Sequence, residues 1–80
     1  MAYSNRLLGR RVKTARLLAC LTQKELALHA GGFPYQVICL VEHGKQGVSA
    51  ERVAQLAGAL GVSADWLLGL SEVRARAGEG

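Results

Sequence analysis

Four side chains of this chain, Cys20, His29, Cys39 and His43, have the chemistry to hold a metal ion or to serve as nucleophile and base. Their spacing argues against both uses. No CxxC or HxxxH pattern is present, and ligands spread over separate elements do not make the tetrahedral set that zinc needs. The sequence also lacks a glycine loop that would cradle phosphate and a carboxylate pair, and Asp65 has no recognisable partner. No metal, cofactor or catalysis is expected. What remains is charge. The chain carries 10 Lys and Arg against 6 Asp and Glu, a net +4. The excess is uneven: residues 1–48 hold seven basic and two acidic groups (+5), and residues 49–80 hold three basic and four acidic groups (−1). A basic half joined to a near-neutral half fits one face turned to a polyanion and another given to a different task.

The elements that must position such a face read as helices divided by punctuation. From Leu8 the apolar positions recur as Leu8, Val12, Ala15 and Ala19, one helical stripe. Thr22 with Glu25 three residues on forms a capping-box pattern that opens a second helix, buried through Leu26, Ala27 and Ala30 and ended by Gly31-Gly32. Pro34 opens a third helix, whose inner residues are Ile38 and Val41 and whose stop is Gly44. Ser49 caps a fourth helix with the stripe Val53, Leu56, Ala57, Leu60, closed by Gly61. Ser63 caps a short fifth helix containing Asp65, Trp66, Leu67 and Leu68, closed by Gly69. No segment alternates with period two, so the fold class is all-α. The expected organisation is one domain over residues 1–70 and a frayed tail over 71–80.

Eighty residues allow one small domain and leave no room for a separate ligand-sensing unit. No apolar run approaches the ~18–20 residues that span a bilayer, and Arg6, Arg10 and Arg11 are followed by no signal-peptide core. Two cysteines are too few for a disulfide scaffold. A cytoplasmic protein with no membrane contact and no small-molecule ligand is expected.

Two short helices joined by a glycine turn with Phe33 just beyond it describe a helix-turn-helix. Around that unit, Leu21-Thr22-Gln23-Lys24-Glu25-Leu26-Ala27, Gly32, Ile38, Val41-Glu42-His43-Gly44-Lys45, Ala57, Leu60-Gly61-Val62-Ser63 and Leu67-Leu68-Gly69 occur in order. Over about residues 7–69 the chain resembles the Cro/repressor (Xre-like) helix-turn-helix family. Two features depart from it: Gly31 and Gly32 together lengthen the turn by one residue, and Pro34 stands where the family usually has a Ser or Thr cap.

The resemblance implies a compact five-helix, lambda-repressor-like domain whose third helix enters the major groove of duplex DNA. The groove, ~12 Å wide, accepts one α-helix. Tyr35 and Gln36 begin the outward face, and a Gln carboxamide pairs bidentately with adenine N6 and N7. Tyr35 can donate to a base or a phosphate, and Val37 and Leu40 can meet a thymine methyl. Gln23 matches the family's glutamine that touches a phosphate and braces the recognition helix. Lys45 and Gln46, and Lys24 beside Gln23, fall at backbone-contacting positions that set register rather than sequence preference. Arg6, Arg10, Arg11 and Lys13 read as a solvated helix face adding long-range attraction. Arg16 and Glu42 match a cross-helix ion pair that is structural.

The function implied is a sequence-specific transcriptional regulator, a homodimer on a palindromic double-stranded DNA operator, with Trp66 and Leu70 as the candidate apolar contact between copies. Leu17, Leu28 and Leu40 exceed what the inner stripes need, and surplus outward apolar surface marks protein interfaces. The competing reading is therefore a helical protein-interaction module, antitoxin- or adaptor-like, with the same fold.

Overall fold

The structure, a computed structural model, describes residues 4–75. Five helices follow one another: α1 (Asn5–Leu18), α2 (Gln23–His29), α3 (Tyr35–Glu42), α4 (Ala50–Leu60) and α5 (Ala64–Leu68). Among the described residues the sole β-type pairing is an isolated bridge between Val62 and Ala75, and the all-α expectation holds. Among the described residues no helix is long and apolar enough to cross a membrane.

Local chemistry sets most of the helix starts. Ser4, Ser49 and Ser63 each accept from the backbone N–H three residues on, satisfying a donor that has no partner inside the helix. Thr22 and Glu25 form the reciprocal box: Glu25 N–H donates to Thr22 Oγ1 (3.0 Å) and Thr22 N–H donates to Glu25 Oε1 (2.8 Å). That second bond, to the ionised form, holds the Glu25 carboxyl below its ordinary pKa. α1 starts at Asn5, ahead of the Leu8 stripe, because Ser4 caps it. Pro34 serves as the N-cap of α3, not its first helical residue, and supplies no side-chain bond. Ala19, assigned to the inner stripe of α1, is its exposed C-cap: the helix ends before that position turns inward.

The end of α1 is unusual. Cys20 N–H donates to Leu17 O and Leu21 N–H to Arg16 O, both at 3.1 Å, the bonds of a helix end that needs a left-handed residue. Here that residue is Cys20, at φ 59°. A side chain in this conformation costs roughly 1–2 kcal/mol, offset in part by the extra unfolded-state freedom of glycine. Cys20→Gly is expected to stabilise the domain by about 0.5–1 kcal/mol, a rise of a few degrees in a thermal melt.

The core is shared by all five helices. Leu8, Leu26, Ile38, Leu56 and Leu67, one from each, are wholly inaccessible to solvent. α1 packs on α3 and α5, while α2 packs on α3 and α4, so α3 rests against both flanking helices. Gly9, buried on α1, lets the last turn of α3 come close: a Cβ there would run into the carbonyl oxygens of Val41 and Glu42.

Residues 71–75, expected to fray, are tied down. Arg74 O accepts from Ser63 N–H at 2.8 Å, and Arg11 donates to Ser71 O and Trp66 O. The Arg11 guanidinium also lies 5.0 Å from the Trp66 ring centroid and pairs with Glu72. Arg11 is thus not part of a solvated face. Its side chain closes the α1–α5 seam. The rest of the expected tail, 76–80, lies outside the described residues.

Candidate nucleic-acid interface

The orientation of α3 follows from which of its residues are buried. Ile38 and Val41 point into the core, and Val37 leans against it. At 100° per residue the opposite face carries Gln36, Cys39, Leu40 and His43, spaced i, i+3, i+4 and i+7. Gln36, Leu40 and His43 are exposed and Cys39 half-buried. Tyr35 stands at the edge of this face, exposed, with Lys24 Nζ 5.0 Å over its ring. Of the four residues expected to meet base edges, Gln36 and Leu40 lie on the outward stripe, Tyr35 beside it, and Val37 at its inner margin.

What holds α3 in place is a buried carboxylate. Glu42 accepts from Arg16 Nε (2.6 Å) and Nη2 (3.1 Å) and from Gln23 Nε2 (3.1 Å). Arg16 Nη1 also donates to Leu21 O at 2.9 Å, so one guanidinium links α1, the α1–α2 turn and α3. The side chains are 11% and 3% exposed, which makes this a desolvated, two-pronged ion pair rather than a surface one. The Glu42 carboxylate pushes the Arg16 pKa above its already high ordinary value, outweighing the opposing effect of burial. Gln23 is a brace between α2 and α3 through Glu42.

The expected backbone-contacting groups sit on both sides of the stripe in sequence. Lys24 is exposed in the first turn of α2, and exposed Lys45 and half-buried Gln46 follow α3. Arg52, which the sequence reading passed over, stacks 4.0 Å over the Phe33 ring and links α4 to the α2–α3 turn. A Cβ at Gly31 would stand 3.2 Å from the Gln55 carboxamide, so the lengthened turn is backed by α4.

The remaining candidates separate. Trp66 is 9% exposed under Arg11, while Leu70 is 62% exposed, so the pair does not form one exposed apolar patch. Leu17, Leu28 and Leu40 are exposed at 57%, 72% and 40%. No group of three or more metal-ligating residues forms among the described residues. The four Cys and His residues are not all on separate elements, however. Cys39 and His43 share one turn at the C-terminal end of α3, with Sγ 3.7 Å from Nδ1. Their i, i+4 spacing was the available signal.

Comparison with known proteins places this geometry. A search of curated proteins by sequence returns no match. Among solved structures, the restriction–modification controller protein C.AhdI from Aeromonas hydrophila aligns at a TM-score of 0.73 and 28% identity, covering 79% of this chain and 94% of that one. The P22 c2 repressor, solved with a synthetic operator, aligns at 0.74 and 25% identity over 80% and 96%. SinR, the master regulator for biofilm formation, solved in complex with DNA, aligns at 0.72 and 27% identity over 76% and 97%. The helix-turn-helix family model matches residues 12–67, from the middle of α1 into α5. The chain belongs to the helix-turn-helix family of the Cro/repressor type.

Proposed function

We propose that this protein is a sequence-specific DNA-binding transcriptional regulator that acts as a homodimer, each copy placing α3 in the major groove. The observation that carries the reading is the outward stripe of α3: it contributes nothing to the buried core, yet the Arg16–Glu42–Gln23 network holds it rigidly. A rigid exposed helix beside basic residues suits a groove walled by phosphates. Gln36 reads adenine, Tyr35 and Leu40 contact neighbouring bases, and Val37 reaches a thymine methyl from the margin. Gln23, Lys24, Lys45 and Gln46 meet the sugar–phosphate walls and fix register. The two recognition helices of a dimer then lie ~34 Å apart on a palindrome. In the contact between copies Leu70 supplies the exposed apolar surface, and Trp66, buried under Arg11, adds little to it.

The test is selection of bound sites from a random duplex pool at stated ionic strength. One preferred sequence is expected, with log affinity falling by roughly 0.9 per phosphate neutralised as log salt rises. Gln36→Ala is expected to lose about 1–3 kcal/mol, roughly 5- to 150-fold, on the preferred site and to relax one position, with retention on unrelated duplex unchanged. No duplex retention at low salt overturns the reading. Capture of a protein partner that Leu40→Asp abolishes, with no DNA affinity, replaces it by the interaction-module reading.

A further inference from the structure

The Glu42 network grips α3 at its C-terminal end, whereas Tyr35 and Gln36 stand at the other. Gln36 precedes Glu42 by about 9 Å along the helix axis, at ~1.5 Å per residue. At this far end two ordinary restraints are missing. Pro34 gives α3 no side-chain cap, and the preceding turn carries Gly31 and Gly32, both at positive φ (136° and 77°). Glycine has more conformational freedom to lose on folding than any other residue, so such a turn depends on what packs around it.

The support comes from α4. The Arg52 guanidinium lies 4.0 Å over the Phe33 ring, and Phe33 itself packs against the core. Three residues further along α4, the Gln55 carboxamide is 3.2 Å from where a Gly31 Cβ would stand. Both contacts fall on the turn between α2 and α3, just before Pro34. A planar guanidinium stacked on a ring resists tilting of that ring, because the attraction requires the cation over its face.

We propose that Arg52 is a positioning residue for DNA recognition: acting through Phe33, it sets the angle at which Tyr35 and Gln36 enter the groove. This rests on the proposed function and adds to it a determinant of specificity on α4 that touches no base. Without the stack the domain stays folded, because Arg52 is half-buried and outside the core. The first turn of α3 then samples misplaced poses. Only a fraction of molecules is ready to read, and apparent affinity falls by that fraction. Gln23, Lys45 and Gln46 stand away from the glycine turn, so contact with the phosphate walls is retained.

The experiment uses the full chain with Arg52→Ala, Arg52→Lys, Phe33→Leu and the Arg52→Ala/Phe33→Leu double variant. Each is titrated with the selected duplex and with an unrelated duplex over a range of salt. Arg52→Ala is expected to weaken binding to the selected duplex by roughly 2- to 10-fold, the range of one ring–cation stack. The unrelated duplex and the salt slope are expected to stay unchanged. Arg52→Lys, which keeps the charge but not the flat stack, is expected to recover part of the loss. Phe33→Leu is expected to remove the same preference, and adding Arg52→Ala to it to cost nothing further. Equal weakening on both duplexes, with the salt slope reduced by ~0.9, overturns the proposal, since Arg52 then contacts a phosphate itself. An Arg52→Ala protein that binds the selected duplex like the parent also overturns it. Amide hydrogen exchange without DNA is the second readout: Val37 to Leu40 are expected to exchange faster in Arg52→Ala, with α5 unchanged. Uniformly faster exchange, or no change at α3, overturns the proposal. If the parent retains no duplex, the proposed function is overturned instead, and the exchange data still decide whether Arg52 holds α3.

Discussion

Replacing Glu42 by Ala is expected to lower the melting temperature by on the order of 20 °C, the largest effect of any single side-chain truncation outside the apolar core. The change removes the acceptor of two Arg16 bonds and of the Gln23 bond, and leaves a guanidinium in the interior with only Leu21 O as partner. Breaking one side of a buried pair costs about 3–5 kcal/mol, much of the ~5–15 kcal/mol that holds a typical domain together. Exposed pairs are worth far less, and the Arg11–Glu72 contact, with Glu72 88% exposed, supplies the contrast. Glu72→Ala is expected to change stability by no more than ~1 kcal/mol. Replacing Arg16 and Glu42 together by Met and Leu is expected to recover most of the loss, because no charge is left stranded. The check is a set of far-ultraviolet thermal melts. An unchanged melt for Glu42→Ala, or a double variant no better than the single one, contradicts the account.

Gly9→Ala is expected to destabilise the domain and weaken duplex retention further than the stability loss alone explains. Two effects oppose each other. Alanine is favoured over glycine in a helix interior by about 1 kcal/mol. Against that, the new Cβ at position 9 meets the Val41 and Glu42 carbonyl oxygens, which are backbone and cannot swing aside. Overpacking of this kind costs ~1–3 kcal/mol and more when main chain must shift. The clash wins, and α3 moves off α1, tilting the face it presents. Gly58→Ala isolates the propensity effect, since nothing lies within 4 Å of a Cβ at that position in α4. It is expected to raise stability by up to about 1 kcal/mol. Paired melts and duplex-binding titrations measure both; a stabilising Gly9→Ala rules out the close approach.

Much of this architecture is local chemistry and was legible as such. Thr22 with Glu25, Ser49 and Ser63 are caps whose partners lie three residues away, so spacing alone exposes them. The stripes that bury Leu8, Val12, Leu56 and Leu60 follow from helical periodicity. Long-range partnerships were not legible in this way. Arg11 reads like its neighbours Arg10 and Lys13, yet its partners stand 55 to 61 residues along the chain, beyond any periodic pattern. The same holds for residues 71–75, which carry no apolar rhythm and are held through backbone bonds. Arg16 and Glu42 were paired only because a family resemblance put them together. Gln23 as the second partner of that carboxylate, and Arg52 stacked on Phe33, needed coordinates. The Cys39–His43 contact follows from i, i+4 spacing along α3, a spacing that metal-ligand patterns do not single out.

The separation between the two faces of α3 has a consequence for how such a protein changes over time. Its inner residues and Glu42 carry the folding duty, while Gln36, Leu40 and His43 lie in solvent with no share in the interior. Exchanging the outer letters therefore leaves the platform standing, and under the proposed function a change of operator preference by single steps is expected to leave the thermal melt unchanged. Retargeting is structurally cheap here, whereas drift at the inner positions is not.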